Sequence, residues 1–155
     1  NYVLINNGKT EFEERIPFGT GKDNTRAVAI GDVNNDGYAD ILCANIQEAN
    51  RSYLGSPEYN FERSILFDES EDASFSLSLA DLNGDGLQDV IVANNRSRNR
   101  VFINSENGAK WLPVNLANES FSTYDIIAAD LNNDGLMEII EANSDAINRY
   151  YRIRK

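Results

Sequence analysis

The chain has 155 residues, a formal net charge of −11 and no histidine. This length suits one ordinary domain, and the negative charge argues against nucleic acid or an anionic membrane surface as a partner. The single cysteine, Cys43, has no partner for an internal disulfide. No apolar run is long enough for a transmembrane helix, so we expect no membrane insertion. Neither a signal peptide nor an initiator methionine is present, which indicates a processed product or an excised piece.

Short apolar runs along the chain predict four kinds of β-strand. In chain order within a repeat, they are an Asn-led strand C, a weaker strand D, a strand A before an acidic loop, and a strand B after that loop. No stretch has helical periodicity with caps. The runs are 1–5, 50–54, 99–103 and 148–152 for C, 12–16, 61–66 and 110–114 for D, 27–33, 77–82 and 126–131 for A, and 41–45, 90–94 and 139–143 for B.

These runs recur with a period of 49 residues. One repeat region, 1–155, therefore divides into repeats of approximately 1–49, 50–98 and 99–147, with an extra strand over 148–155. Antiparallel units of four strands and this length are typical of β-propeller blades. The predicted fold class is all-β, a propeller-type array of four-stranded antiparallel blades. Closed propellers need about four to eight blades, so either other chains complete a ring or array, or the chain is a segment of a longer propeller.

A nine-residue acidic loop joins strand A to strand B in every repeat. Loop 1 covers 32–40, loop 2 covers 81–89 and loop 3 covers 130–138, and together they contain nine of the 25 acidic residues. Oxygen-bearing side chains occupy loop positions 1, 3, 5 and 9, glycine at position 6 takes the sharp turn, and position 7 offers its carbonyl. The predicted metal ligands are Asp32, Asn34, Asp36, Tyr38 and Asp40 in loop 1, Asp81, Asn83, Asp85, Leu87 and Asp89 in loop 2, and Asp130, Asn132, Asp134, Leu136 and Glu138 in loop 3.

The ligand chemistry predicts Ca²⁺, in up to three sites. All the donors are oxygens, which suit a hard cation, and without histidine or paired cysteines zinc and copper are not favoured. Mg²⁺ is the weaker alternative because it needs a tighter octahedron. Turn formation alone is the other interpretation, although a turn does not need acids at positions 1, 5 and 9. Loop 3 departs from the pattern at Glu138, whose extra methylene pushes the carboxylate outward.

Together these motifs resemble the FG-GAP/VCBS repeat family, the calcium-loop blades of integrin-alpha-like β-propellers. The resemblance rests on the three acidic loops, the preceding segments 29–32 and 79–81, the Ala-Asn pairs after the loops, and the Asn-Arg-Val-Phe-Ile-Asn strand, and it covers nearly the whole chain. It implies a propeller, Ca²⁺ in the loops between strands A and B, and an extracellular, cell-surface or periplasmic location. It does not imply a single activity, since members include adhesion receptors, lectins and non-catalytic domains attached to polysaccharide-degrading enzymes.

From this resemblance we expect a non-catalytic, Ca²⁺-stabilised module for recognition, adhesion or assembly. Its partner would be a protein or glycan ligand, or copies of itself that complete a ring or array. A carbohydrate-binding lectin and a part of a polysaccharide-degrading enzyme are the alternatives. The absence of histidine removes the commonest general base from the enzyme alternative.

Three further features each have two interpretations. Trp111 and Tyr124 form either a sugar-stacking platform or packing between blades, which is the usual role of aromatic residues. Tyr150 and Tyr151 have the same two interpretations. A basic cluster is either a partner site or a solvated surface turn, as charge runs usually are, and it contains Arg96, Arg98 and Arg100. N-glycosylation patterns that chance would also produce begin at Asn50, Asn95 and Asn118.

Overall fold

A computed structural model describes residues 1–9 and 11–152, and these residues form thirteen β-strands and no helix. None of them therefore belongs to a helix that could cross a bilayer. The strands are β1 (Tyr2–Leu4), β2 (Arg15–Pro17), β3 (Thr25–Gly31), β4 (Asp40–Asn45), β5 (Asn50–Tyr53), β6 (Ser64–Asp68), β7 (Ser74–Ala80), β8 (Asp89–Ser97), β9 (Arg100–Ser105), β10 (Lys110–Asn115), β11 (Phe121–Ala129), β12 (Glu138–Ser144) and β13 (Arg149–Tyr151).

The strands form two complete blades and two partial ones. Blade 1 is the antiparallel sheet β3-β4-β5-β6, and blade 2 is β7-β8-β9-β10, both in the predicted order A-B-C-D. Before blade 1, β1 and β2 form a two-stranded ribbon, which supplies only strands C and D. Blade 3 contains strands A, B and C as β11, β12 and β13. The predicted all-β fold class is confirmed, and the described residues form an open array of sheets without closure into a barrel.

Some predicted strand limits were wrong. Strand A ends at Gly31, Ala80 and Ala129 in the three blades, before the loop that the prediction had it enter. The reason is that the N–H of the second loop residue donates to a loop carboxylate and so leaves the sheet ladder. The first strand D was predicted at 12–16 but forms at Arg15–Pro17, because the ring of Phe12 is exposed and gains no burial there. The predicted extra strand over 148–155 forms at Arg149–Tyr151, and residues 153–155 lie outside the described part of the chain.

Apolar side chains at equivalent repeat positions fill the space between successive sheets. One cluster joins blades 1 and 2 and includes Leu42, Leu77 and Phe102. A second joins blades 2 and 3 and includes Ile91 and Ile126. A third, smaller cluster joins the β1–β2 ribbon to blade 1 and contains the buried thiol of Cys43. A single blade cannot bury its faces alone, so each sheet depends on its neighbours for stability.

Backbone bridges also connect neighbouring blades at repeated positions. Ile46 of blade 1 forms a β-bridge with Ala73 of blade 2, and Asn95 of blade 2 pairs with Ser122 of blade 3. Each partner in the second pair lies 49 residues after its counterpart in the first. The same sequence spacing that repeats the strands therefore repeats the contact between blades.

The asparagine that opens strand C joins one blade to the next. Asn50 is fully buried. Its Oδ1 accepts the backbone N–H of Asn45 at 2.7 Å, and its amide nitrogen donates to Asp68 Oδ2 and to Ser74 Oγ, each at 2.9 Å. Ser74 belongs to blade 2, so this one side chain holds the turn between strands B and C and fixes the following blade.

Equivalent bonds recur along the chain. Asn1 donates to Thr25 at 3.0 Å, and Asn99 donates to Thr123 at 2.8 Å, in each case across a boundary between sheets. The asparagines that close the Ala-Asn pairs donate to the carbonyl before the next strand C, at 2.8, 2.7 and 3.0 Å in successive repeats. The Ala-Asn pairs and the Asn-led strands are therefore two halves of one hydrogen-bonded joint.

Replacing Asn50 with alanine tests this joint. We expect Asn50→Ala to lower the free energy of unfolding by about 2–4 kcal/mol, because it leaves the buried Asn45 N–H and Asp68 Oδ2 without partners and removes the donor to Ser74 Oγ. The matched control is Asn148→Ala at the equivalent, exposed position of blade 3, where the loss is below about 1 kcal/mol. Urea unfolding of both variants provides the measurement, and equal losses would contradict the joint.

Candidate metal centre

The three acidic loops have the same backbone conformation. Position 4 is left-handed in all of them, with φ of 61° at Asn35, 78° at Gly84 and 58° at Asn133. The glycine at position 6 is also left-handed, with φ of 89°, 85° and 83° in loops 1, 2 and 3. Glycine and asparagine tolerate this conformation better than other residues. Two reversals within three residues curl each loop around its first carboxylate.

The carboxylate at position 1 holds the curl by accepting two backbone N–H groups. Oδ1 of this aspartate accepts the N–H of position 5 at 3.2, 3.2 and 3.1 Å in loops 1, 2 and 3. Oδ2 accepts the N–H of the position 6 glycine at 2.8, 2.8 and 2.9 Å. The side chain that begins the loop is therefore surrounded by the loop's own backbone.

The side chains at positions 3 and 5 turn toward the same point. The asparagine Oδ1 at position 3 accepts the N–H of position 5 at 3.1, 2.9 and 2.8 Å, alongside the position 1 carboxylate. The aspartate at position 5 accepts the N–H of position 7 at 2.9, 2.8 and 2.9 Å. Oxygens from positions 1 and 3 thus meet at a single N–H in every loop.

Position 9 differs because its carboxylate is buried and already bonded. Asp40 accepts the N–H of Val33 at 2.9 Å through one oxygen and the N–H of Gly55 at 2.8 Å through the other. Asp89 accepts the N–H of Leu82 at 2.9 Å and that of Asn104 at 2.8 Å. Each carboxylate therefore connects the start of its loop to the strand C region. The connection is to Gly55, two residues after the end of β5, in repeat 1, and to Asn104, within β9, in repeat 2.

Burial raises the pKa of Asp40 and of Asp89 above the usual value. The two backbone hydrogen bonds to each group oppose that rise, and the charges of Asp36 and Asp32, or of Asp85 and Asp81, add to it. In loops 1 and 2 the three carboxylates therefore lie close enough to repel one another. A bound divalent cation would relieve this repulsion.

The donor chemistry of the loops fits a hard cation, although the full predicted ligand set does not converge. Over residues 1–9 and 11–152, no three Asp, Glu, His or Cys side chains are gathered as metal ligands. Positions 1, 3 and 5 come together, whereas position 9 is directed to backbone N–H groups. Each oxygen of a carboxylate offers two lone pairs, so its hydrogen bonds do not exhaust the capacity of position 9 to bind a cation.

Loop 3 departs from the other two in its side-chain contacts. The amide nitrogen of Asn132 donates to Glu138 Oε1 at 2.9 Å, whereas the equivalent asparagines of loops 1 and 2 donate to the position 5 aspartate, also at 2.9 Å. Arg152 also lies beside this loop, with Nη2 3.6 Å from Asp134 and Nε 3.8 Å from Glu138. The departure predicted at Glu138 is therefore accompanied by a nearby guanidinium that the sequence pattern did not indicate.

Sequence reasoning missed two other contributors. Asn104 donates through its side-chain amide to the carbonyl of Val33 in loop 1 at 2.8 Å, and its backbone N–H donates to Asp89 of loop 2. Gly55 has no room for a side chain, because an added Cβ would overlap the Ala39 carbonyl oxygen. The repeat alignment of Gly55 with Asn104 was the available signal, but these contacts join residues that are far apart in sequence.

An open groove of about 670 Å³ lies between strand D of blade 1 and strands C and D of blade 2. Its lining includes Ser70, Arg100, Lys110 and Trp111. Trp111 packs against Phe67, with ring centroids 5.9 Å apart. The Trp111 Nε1 and Ser70 Oγ atoms are buried without a hydrogen-bond partner in the described residues. The groove thus combines an aromatic wall, charges and unused polar atoms.

Packing explains Tyr124 and Tyr151, but not Tyr150. Tyr124 contacts Phe75 at 5.3 Å rather than forming a platform with Trp111. Tyr151 packs in the cluster between blades 2 and 3, whereas Tyr150 is exposed.

Two arginines of the predicted basic cluster have partners within the chain. Arg100 pairs with Asp68 at 3.5 Å and Asp72 at 3.0 Å, and Arg98 donates to the Asn118 carbonyl at 3.0 Å. The side chain of Asn50, which opens one glycosylation pattern, is buried in the joint between blades.

A sequence profile described as FG-GAP-like repeat matches residues 1–43, 32–92 and 81–141. These overlapping matches cover the acidic loops and both complete blades, so the chain belongs to the FG-GAP-like repeat family. No curated protein matches the chain.

Substitutions in the presence of a chelator distinguish the buried carboxylate at position 9 from the exposed carboxylate at position 5. We expect Asp40→Ala to lower the free energy of unfolding by about 2–4 kcal/mol, because it leaves the N–H groups of Val33 and Gly55 unpaired. Asp36→Ala, in the exposed part of the same loop, is the control and costs less than about 1 kcal/mol. Urea unfolding in EDTA compares the two, and an equal cost would show that position 9 has no structural role of its own.

Proposed function

We propose that the chain is a non-catalytic, Ca²⁺-stabilised propeller module that presents a surface for recognition, adhesion or assembly. The observation that carries this proposal is the repetition of one loop architecture three times, with oxygens of positions 1 and 3 meeting at the same backbone N–H in each copy. Besides the acids that shape and anchor the turn, each loop places a further, exposed carboxylate at position 5 beside these oxygens, and a set of oxygen donors of this kind suits a hard cation.

In this proposal each residue type has a distinct role. Positions 1, 3 and 5 hold the ion through side-chain oxygens, position 7 through its carbonyl, and position 9 through lone pairs not used by backbone N–H groups. The ion supplies positive charge that neutralises the crowded carboxylates. The aspartate at position 1 and the left-handed residues at positions 4 and 6 keep the loop curled before an ion binds. No step of covalent chemistry is assigned to these residues.

The family resemblance leads us to place the module outside the cytosol, in an extracellular, cell-surface or periplasmic setting. Ca²⁺ loops of extracellular modules bind with Kd of about 10⁻⁴–10⁻³ M. Sites of this affinity would fill in such a setting, where Ca²⁺ is abundant. At a concentration of 100 Kd, each occupied site adds about 2.7 kcal/mol to stability. Two or three such sites are comparable with a typical net stability of about 5–15 kcal/mol.

The face of blade 1 indicates a partner of the same architecture. Val28 and Ile30 are 55% and 60% exposed, whereas Leu77 and Ile126, at positions equivalent to Val28, are buried between blades. The ribbon β1–β2 covers the outer part of blade 1 but contributes no strands A and B to cover β3. We propose that a further blade of the same repeat type covers this face, supplied by a second copy of the chain or by other blades of a longer propeller.

A lectin is the second candidate, and the groove beside Trp111 favours it. An aromatic wall with nearby charged side chains is suited to a sugar, which offers apolar C–H faces and hydroxyl groups. A glycan array run with and without Ca²⁺ tests this candidate, using Lys110→Glu as the groove variant. Binding that this variant does not change would exclude the groove as the sugar site.

Removal of Ca²⁺ tests the principal proposal. We expect EDTA to lower the melting temperature substantially, and Ca²⁺ to restore it in preference to Mg²⁺, because the bound ions stabilise only the folded state. A variant with Asp36→Asn and Asp85→Asn retains the shape of both loops but removes a ligand charge from each. We expect that variant to show a much smaller Ca²⁺-dependent rise in melting temperature than the wild type, because only loop 3 keeps all its ligand charges. Differential scanning calorimetry makes the comparison, and a wild-type melt unaffected by EDTA would refute structural calcium.

The exposed face of blade 1 has its own test. If a second copy covers it, sedimentation velocity detects reversible association that Val28→Lys with Ile30→Lys abolishes, since buried lysines are costly. Tyr59→Lys, at another exposed apolar site, is the control and leaves association unchanged. A strictly monomeric wild-type protein at high concentration would exclude the second copy as the occupant.

A further inference from the structure

Loop 3 has a cationic side chain where loops 1 and 2 have none. Arg152 lies 3.6 Å from Asp134 at position 5 and 3.8 Å from Glu138 at position 9. The residues 49 and 98 positions earlier, Ile103 and Leu54, are apolar and pack in the interior. Within residues 1–9 and 11–152 the chain therefore contains its own comparison, since loop 3 forms ion pairs with an arginine and loops 1 and 2 form none.

The polar side chains of loop 3 are arranged around this guanidinium. Glu138 Oε2 accepts the N–H of Leu131 at 2.9 Å, as position 9 does in the other loops. Its second oxygen, Oε1, accepts the Asn132 amide at 2.9 Å and lies near Arg152. In loops 1 and 2 that second oxygen accepts a backbone N–H instead. The longer glutamate side chain thus directs an oxygen toward position 3 and toward the arginine.

The electrostatic consequence follows from Coulomb's law. A guanidinium beside two carboxylates attracts them as a cation would, and it repels a divalent ion that approaches the same oxygens. Arg152 is 59% exposed, so water weakens this repulsion and the side chain can move away. The expected effect is a weaker site rather than an abolished one.

We propose that Arg152 takes the charge-neutralising role of calcium in loop 3, so that the chain binds two Ca²⁺ ions tightly, in loops 1 and 2, and a third at least about tenfold more weakly. This inference rests on the proposed Ca²⁺ binding of the loops. It also means that the ion pairs of Arg152 hold loop 3 closed when no Ca²⁺ is bound.

Arg152→Leu tests the proposal because it gives loop 3 the residue that repeat 1 has at the equivalent position. Isothermal titration calorimetry with Ca²⁺ is expected to count two tight sites in the wild type and three in this variant. The matched control is Arg149→Leu, three residues earlier at the start of β13, since Arg149 pairs with Glu119 at 3.6 Å and lies over the Phe121 ring at 4.3 Å, away from the loop. The control is expected to keep two tight sites.

A second measurement, made in EDTA, does not depend on calcium binding. Hydrogen exchange is expected to be slower at the Asp134 and Gly135 amides of loop 3 than at the equivalent Asp85 and Gly86 amides of loop 2. Arg152→Leu is expected to remove this difference while Arg149→Leu preserves it.

The outcomes separate the two proposals. Three equal sites in the wild type, or two in Arg152→Leu, would overturn the role of Arg152 and leave the calcium module intact. No Ca²⁺ binding by any variant would refute the calcium module. In that case the hydrogen-exchange comparison in EDTA would still test the role of Arg152, and equal exchange in loops 2 and 3 would overturn that role.

Discussion

A buried carboxylate at the end of each acidic loop is the interaction on which the rest of the structure depends. Asp40 and Asp89 each accept one N–H from the start of their loop and another from the chain just beyond or within strand C. Neither carboxylate is exposed to solvent, so loss of either bond leaves a buried polar group unpaired. These bonds close the loop between strands A and B and attach it to the third strand. The proposed metal sites are thus built on turns that the protein already holds in place.

The loop residues divide into those that shape the turn and those that remain available to a cation. Positions 4 and 6 reverse the backbone, and position 9 anchors it. Positions 1, 3 and 5 supply side-chain oxygens, and the carboxylates among them carry negative charges that repel one another. This division explains how one scaffold supports either an ion, as proposed for loops 1 and 2, or a guanidinium, as proposed for loop 3. Asn104 also links two loops, because it donates to the backbone of loop 1 at Val33 and to the position 9 carboxylate of loop 2, Asp89.

The sequence alone predicted the strands, their order in each blade and the position of every loop, because these follow from local patterns with a fixed period. The profile match confirmed the family that those patterns resembled. The joint made by Asn50, the anchoring N–H of Gly55 and the pairing of Arg152 could not be predicted in the same way. Each depends on contacts that form only when strands and blades pack, and a repeat alignment does not reveal which equivalent residues meet. Position 9 illustrates this limit, since its acid was predicted as a ligand and its hydrogen bonds to two backbone segments were not.

The central claim is that the acidic loops bind Ca²⁺, and a crystal structure grown with saturating Ca²⁺ tests it most directly. Anomalous scattering is expected to locate an ion in loop 1, with oxygens of Asp32, Asn34 and Asp36 and the carbonyl of Tyr38 at about 2.3–2.6 Å, and another at the equivalent place in loop 2. A well-ordered structure from such crystals with only water in both loops would contradict the claim.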